Sequence, residues 1–327
     1  MIAGLGSIGR RHLRNLLALG ERDILLYRTH QSTLVDDGLA DFPVETDLES
    51  AISRCPDAVI VANPTACHLD VAIPAAESGC HLLLEKPVAG QLDRRVDALN
   101  EIVNDNGVKT LVGFQFRFHP VLLAIRELIR SEELGRPLSF RAHWGEYLPG
   151  WHPWEDYRQG YAARKDLGGG VVNTLCHPLD YTRWLFGEIT ALSADTARVS
   201  DLELDVEDTA EITLEFGEDL LGSVHLDYFQ RPPSHGLTVN CEGGQVRWDN
   251  ADGSAEVILA NAGTRKRLSP PVGFERNDLF LAEMRHFLAV IQNQEESRCS
   301  LADGIKALEL TQSIHQSSQT GRKIVFK

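Results

Sequence analysis

Three groups of residues have the types and spacing to do chemistry. Gly4-Leu5-Gly6-Ser7-Ile8-Gly9 is a G-x-G-x-x-G turn. Glycines at that spacing allow a tight turn, a close backbone approach to a pyrophosphate and close packing of a helix on a strand. The helix that follows offers unpaired N–H groups and the positive end of its dipole to phosphate. The bare pattern is weak, and a glycine-rich turn with no ligand is the alternative. Next, the apolar run His81-Leu82-Leu83-Leu84 ends in Glu85-Lys86-Pro87. A cation held at a strand end can stabilise a developing alkoxide. Finally, His177 and Asp180 stand three apart on an expected helix and so share a face. A histidine titrating near neutral pH can carry a hydroxyl proton. Taken singly, such a lysine is an ordinary surface charge and such a histidine an ordinary structural residue. Two candidate ligands without a third do not make a metal centre, so no metal is expected.

The elements that must position these groups follow from periodicity. Short apolar runs at 2–3, 24–27, 42–44, 58–62, 81–84 and 110–112 alternate with amphipathic segments at 9–19, 67–78 and 92–105. Gly79 and Gly107 supply C-terminal caps to the last two segments. Such alternation predicts a parallel sheet covered on both faces by helices. Ligands of these sheets lie beyond the carboxyl ends of the strands, which is where Lys86 falls. Only three residues precede Gly4, fewer than a first strand usually has, so the natural start is expected a few residues earlier. After Gln115 the pattern changes to a helix at 121–131, a strand at 138–144, a loop at 145–170 and a helix at 171–186. Six β-rich runs follow, at 190–199, 209–216, 222–228, 237–242, 245–248 and 256–259, with turn signals at Gly217-Glu218-Asp219 and Gly243-Gly244. Consecutive hairpins predict an antiparallel sheet with helices on one face. Helices at 278–292 and 301–317 close the chain. The expected fold is an α/β dinucleotide-binding domain at 1–117 and an α+β domain with an open-faced, mostly antiparallel sheet at 118–327.

At 327 residues each domain can bury its own core. A formal net charge of −15 argues against a nucleic-acid partner, which requires a basic face. Arg10, Arg11 and Arg14 form the one basic run near the glycine turn and read mainly as a solvated helix face. Six scattered cysteines without a C-x-x-C pair suit a reducing compartment. The first residues lack the order of a signal peptide, and no apolar run approaches the ~20 residues of a membrane span. A cytoplasmic protein without membrane contact is expected.

Val59-Ile60-Val61-Ala62-Asn63-Pro64-Thr65 with His68, the Glu85-Lys86-Pro87 strand end, and Gly168-Gly169-Gly170 followed by His177 and Asp180 add to the glycine turn. Together they resemble the Gfo/Idh/MocA family (glucose–fructose oxidoreductase, inositol dehydrogenase, MocA) over nearly the whole chain. The resemblance implies a Rossmann domain followed by an open-faced sheet domain, bound NAD or NADP, and a sugar, cyclitol or related polyol as substrate. It also implies homo-oligomers that pack through the open sheet face, and a cis peptide before Pro87. On this basis Lys86 and His177 are the catalytic candidates. Gly4, Gly6, Ser7, Ile8, Gly9, Arg28, Asn63, Thr65, His68 and Glu85 are the cofactor-binding candidates. Arg117, Tyr147, Trp151, Asn173 and Asp180 are the substrate-binding candidates.

Four departures and ambiguities bear on the function. The second strand ends Leu26-Tyr27-Arg28-Thr29-His30, without the carboxylate that usually binds the ribose 2′-hydroxyl of NAD. Arg28 could meet a 2′-phosphate instead, which slightly favours NADP; an exposed arginine at a strand end is the alternative. Trp144, Tyr147, Trp151, Trp154, Tyr157 and Tyr161 crowd one loop, interleaved with His152, Arg158, Arg164 and Lys165. They suit a sugar ring, or the packing of a domain seam or subunit interface. Arg117 fits a substrate carboxylate or phosphate, or a structural ion pair. Where many relatives carry an aspartate four residues before the histidine, this chain has Asn173, so His177 is expected to act without a carboxylate beside it. The function expected is hydride transfer between a nicotinamide and a secondary alcohol or ketone. The alternatives are a redox-neutral glycosidase- or epimerase-like enzyme of the same fold and a non-catalytic dinucleotide-binding sensor. The presence of both Lys86 and His177 weighs against the sensor.

Overall fold

The computed structural model describes residues 1–29, 38–260 and 264–326. His30, at the expected end of the second strand, lies outside the described residues. The chain forms two compact units. One comprises Met1–Gln115, Asp166–Gly168 and Glu275–Leu308; the other comprises Phe116–Lys165, Gly169–Phe274 and Glu309–Lys327. The first crossing falls after Gln115, whereas the expectation divides the chain once, after residue 117. The return of Glu275–Leu308 to the first unit was not expected, because amphipathic helices carry no mark of the sheet they cover.

The first unit begins with β1 (Ile2–Ala3), α1 (Ser7–Ala18), β2 (Leu26–Tyr27), β3 (Val44–Glu45) and α2 (Leu48–Ser53). It continues through β4 (Ala58–Val61), α3 (His68–Glu77), β5 (His81–Leu84), α4 (Arg94–Asp105) and β6 (Thr110–Val112). The six strands form a sheet in the order β3-β2-β1-β4-β5-β6, every neighbouring pair parallel. Ile2, Ala3, Leu26, Val59, Val61, Leu82, Leu83, Leu84, Leu111 and Val112 are fully buried, as strands covered on both faces require. Asp47 and Asp93 cap α2 and α4 by accepting the N–H groups of Ser50 and Arg95. The strand order reverses between β1 and β4, which makes the space beyond their carboxyl ends the natural ligand crevice.

The chain continues through α5 (Pro120–Arg130), β7 (Pro137–Gly145), α6 (Val171–Thr174), α7 (His177–Phe186), β8 (Ala191–Ala197), β9 (Thr209–Phe216) and β10 (Leu220–Asp227). Then come β11 (Ser234–Cys241), β12 (Gly244–Asp249), β13 (Ala255–Leu259) and β14 (Arg265–Leu268). The last elements are α8 (Arg276–Ile291), which belongs to the first unit, α9 (Leu301–Thr320) and β15 (Ile324–Val325). The second sheet runs β14-β13-β12-β11-β7-β10-β9-β8-β15 and is antiparallel except where β10 lies parallel to β7. Along β9, Ala210, Ile212, Leu214 and Phe216 face the core, while Glu211, Thr213 and Glu215 face outward beside His225, Ser223 and Leu221 of β10. That alternation is the open face. β14 has the sequence Arg-Lys-Arg-Leu, an exposed charged edge whose apolar signal is too weak to read from sequence.

One expected element is broken. The helix expected over 171–186 is two, α6 and α7, interrupted at Leu175 and Cys176. Pro178 lacks an N–H and its ring collides with the carbonyl four residues earlier, so it is tolerated only in a first turn. A helix containing Pro178 must therefore start just before it, as α7 does. Asn173 consequently sits on a separate short helix rather than one turn before His177 on the same one. Among the described residues, no helix is long and apolar enough to cross a membrane.

Candidate active site

The three glycines of the turn are required for different reasons. Gly4 has φ +94°, and a Cβ on it would lie 2.5 Å from the backbone nitrogen of Asn63. A Cβ on Gly9 would run into the carbonyl oxygen of Gly4. Gly6 differs: among the described residues no atom lies within 4 Å of the position its Cβ would take. The cradle it leaves fits a pyrophosphate. Gly6 is also the N-cap of α1, in extended conformation, with no side-chain cap and no acidic residue in the first turn. The N–H groups of Ser7, Ile8 and Gly9 and the positive helix end are thus left for an anion. Arg10 ties the turn down by donating from Nε to the Leu5 carbonyl at 3.0 Å. Arg28, just past β2, is 8% exposed, so it is not the exposed strand-end arginine of the alternative reading.

Beyond β4, the Asn63 amide donates to the Cys67 carbonyl at 2.8 Å, while its Oδ1 is buried with no hydrogen-bond partner among the described residues. Thr65 starts a short 3-10 turn and packs against Gly168, whose added Cβ would lie 3.2 Å from Thr65 Cβ. The His68 ring is buried, with Nδ1 2.9 Å from the Pro87 carbonyl and Nε2 2.9 Å from the Asn63 carbonyl. It is wedged between the loops after β4 and β5, and burial lowers its pKa, so the neutral ring donates to one of the two carbonyls.

Glu85, the residue after β5, reaches towards α1. Its Oε1 lies 2.7 Å from Nε2 of fully buried His12 on α1. Burial by itself would raise the Glu85 pKa, but the hydrogen bond and charge of His12, with Lys86 and His68 nearby, hold it below the ordinary glutamate value. Its carboxylate is therefore committed to locking α1 against the end of β5. Lys86, the next residue, is half-buried, and the Lys86–Pro87 peptide is cis.

In the second unit His177 opens α7 and is 2% exposed. Its ring lies edge-on to Phe116, with centroids 5.1 Å apart, and 5.4 Å from the Trp144 ring. Trp144 in turn stacks on His235 at 4.3 Å, and the Tyr181 hydroxyl lies 3.4 Å from His235 Nε2. Asn173 is buried and donates to the Gly169 carbonyl at 3.4 Å. Arg117 and Asp180 form a buried two-pronged pair, Nε to Oδ2 at 2.9 Å and Nη2 to Oδ1 at 2.7 Å. Of the two roles open to Arg117, the structural ion pair is the one seen here.

The aromatic loop separates into parts. Trp144 belongs to β7 and the ring cluster, and Trp154 is 71% exposed. One face of Tyr147 is covered by the Arg231 guanidinium, 4.2 Å from its centroid. Trp151 meets Tyr228 edge-on at 5.7 Å and keeps a buried Nε1 with no hydrogen-bond partner among the described residues. Tyr157 and Arg158 join Asp156 and Glu203 in a surface network. His12 and His235 were missed in the sequence. His12 had a faint signal, a polar residue beside Leu13 and Leu16 on the buried stripe of α1.

Residues 1–114 match the oxidoreductase family described as NAD-binding with a Rossmann fold, and residues 122–247 match the GFO/IDH/MocA C-terminal domain. The scyllo-inositol 2-dehydrogenase (NAD+) of Bacillus subtilis (strain 168) is 26% identical, over 99% of this chain and 94% of its own. The D-xylose 1-dehydrogenase (NADP+) 2 of Haloferax volcanii is 24% identical, over 91% of this chain and 84% of its own. Among solved structures, levoglucosan dehydrogenase in complex with NADH and levoglucosan shares the fold with a TM-score of 0.87 at 20% identity, over 99% of this chain and 98% of that one. With its glycine cradle, its Glu85-Lys86-Pro87 strand end and its two matching domains, the chain belongs to the Gfo/Idh/MocA family of NAD-binding oxidoreductases.

Proposed function

We propose that this protein is an NAD(P)-dependent dehydrogenase or reductase of a sugar, cyclitol or related polyol, with Lys86 and His177 as its catalytic residues. The observation that carries the reading is Gly6, a glycine that no neighbour among the described residues requires, in the unit whose β5 leads into Glu85 and Lys86. A nicotinamide dinucleotide, which the Gly4–Gly9 turn would hold by its pyrophosphate, would supply the hydride acceptor for oxidation and the donor for reduction. The rest falls to side chains. The Lys86 ammonium stabilises the negative charge that develops on the substrate oxygen. His177 takes the hydroxyl proton on oxidation and gives it back on reduction. The Asn173 amide positions a hydroxyl without biasing His177 towards the imidazolium, as a carboxylate there would. Tyr147 and Trp151 offer apolar ring surface to the C–H face of a sugar, and Trp151 Nε1 offers a donor to its hydroxyl rim.

The same reading slightly favours NADP, through a charge-assisted contact of Arg28 with the 2′-phosphate. It also takes the protein to be cytoplasmic and to assemble with copies of itself through the open sheet face; a monomer in sedimentation velocity contradicts that assembly. The test of the activity is a panel of sugars, cyclitols and sugar nucleotides assayed for reduced-nicotinamide absorbance with both cofactors. At least one polyol should give sustained turnover; cofactor binding without turnover on any of them supports the sensor instead. Arg28→Ala is expected to weaken NADP binding about tenfold or more and NAD binding little. Tighter binding of NAD than NADP by the wild type ends the NADP preference alone.

A further inference from the structure

The segment Gly168-Gly169-Gly170 leads directly into α6, which carries Asn173, and from there into His177. α6 has four residues, and Gly170 at its N-cap has no side chain with which to cap it. The missing partners come from Glu207, in the loop before β9. The Glu207 backbone carbonyl accepts the Val171 N–H at 3.2 Å, and its Oε1 accepts the Val172 N–H at 3.2 Å. Gly170, at φ +106°, sits so close to this carboxylate that a Cβ would collide with it. On the other side Oε1 lies 4.0 Å from His315 Nε2 of α9. One residue thus satisfies two of the helix-start N–H groups and restricts Gly170 to glycine, while a histidine flanks its carboxylate.

We propose that Glu207 is a positioning residue for the reaction, acting through α6 to fix where Asn173 and His177 stand. The proposal rests on the reading of His177 as proton carrier. A side-chain acceptor at a helix start is a geometric device, since a displacement of about 1 Å at a reacting group costs up to about a hundredfold in rate. Glutamine can replace the carboxylate as acceptor for Val172 N–H, whereas alanine cannot, and aspartate falls one methylene short.

The experiment measures kcat, substrate KM and dinucleotide Kd for wild type, Glu207→Gln, Glu207→Asp, Glu207→Ala and His177→Ala. Glu207→Ala and Glu207→Asp are expected to lower kcat about tenfold or more, with dinucleotide Kd within about twofold, while Glu207→Gln stays within about threefold of wild type. If Glu207→Ala does not accumulate as folded protein, the contrast between Gln and Asp decides. Wild-type kcat in Glu207→Asp, or a Glu207→Gln as impaired as Glu207→Asp, overturns the proposal. If His177→Ala retains full turnover, the reading of His177 fails instead, and the two failures are told apart.

Discussion

Glu283 is fully buried on α8, and neither of its carboxyl oxygens has a hydrogen-bond partner among the described residues. Burial first, and then the charge of Glu85, push its pKa well above the ordinary 4.5. Glu85 has His12 as partner and stays ionised, so of the two carboxyls Glu283 is the one that keeps its proton. Because the native state then binds more protons than the unfolded chain, stability falls as pH rises from about 4.5 towards the raised pKa. Glu283→Gln keeps the size and removes the titration. Its melting temperature should track the wild type near pH 4 and exceed it increasingly towards pH 8; parallel curves across that range contradict the account. Neither the pairing of Glu85 with His12 nor its nearness to Glu283 was legible, because both are long-range in the chain. Lys86 and His177 were legible as joint members of motifs, whereas the roles of His68, Arg117 and Asp180 turned on which neighbours had already claimed their polar atoms.

At the scale of elements, the glycine turn separates folding from binding. Gly9→Ala drives a Cβ into the Gly4 carbonyl and should destabilise the first unit strongly. Gly6→Ala meets no atom among the described residues, and its backbone, at φ −71°, suits alanine. It should therefore leave the melting temperature within a few degrees of wild type while weakening dinucleotide binding about tenfold or more. Thermal melts beside cofactor titrations check this, and unchanged dinucleotide affinity in Gly6→Ala would remove the cradle from the account. The strands β5, β6 and β9 were readable to the residue because buried apolar runs and strict alternation leave little latitude. The apolar period over 171–186 runs through the break before Pro178, so periodicity alone does not reveal the two helices there. α2 and β15 were missed because six and two residues are too few to show a period.

For the whole molecule, the order β3-β2-β1-β4-β5-β6 and the mostly antiparallel nine-stranded sheet follow the two-part pattern of the sequence. The parallel contact of β10 with β7 does not, since hairpin logic describes only consecutive strands. Nor does the membership of α8 in the first unit, where Asn277 and Phe280 pack on Asn15 and Arg11 of α1. The central claim is that a dinucleotide bound at the glycine cradle reacts beside Lys86. It is tested most directly by Lys86→Met, which keeps the length and apolar stem of the side chain and removes the charge. Turnover on a polyol found active with the wild type should fall about a hundredfold or more, with dinucleotide affinity within about threefold. Turnover within a few-fold of wild type would contradict the claim.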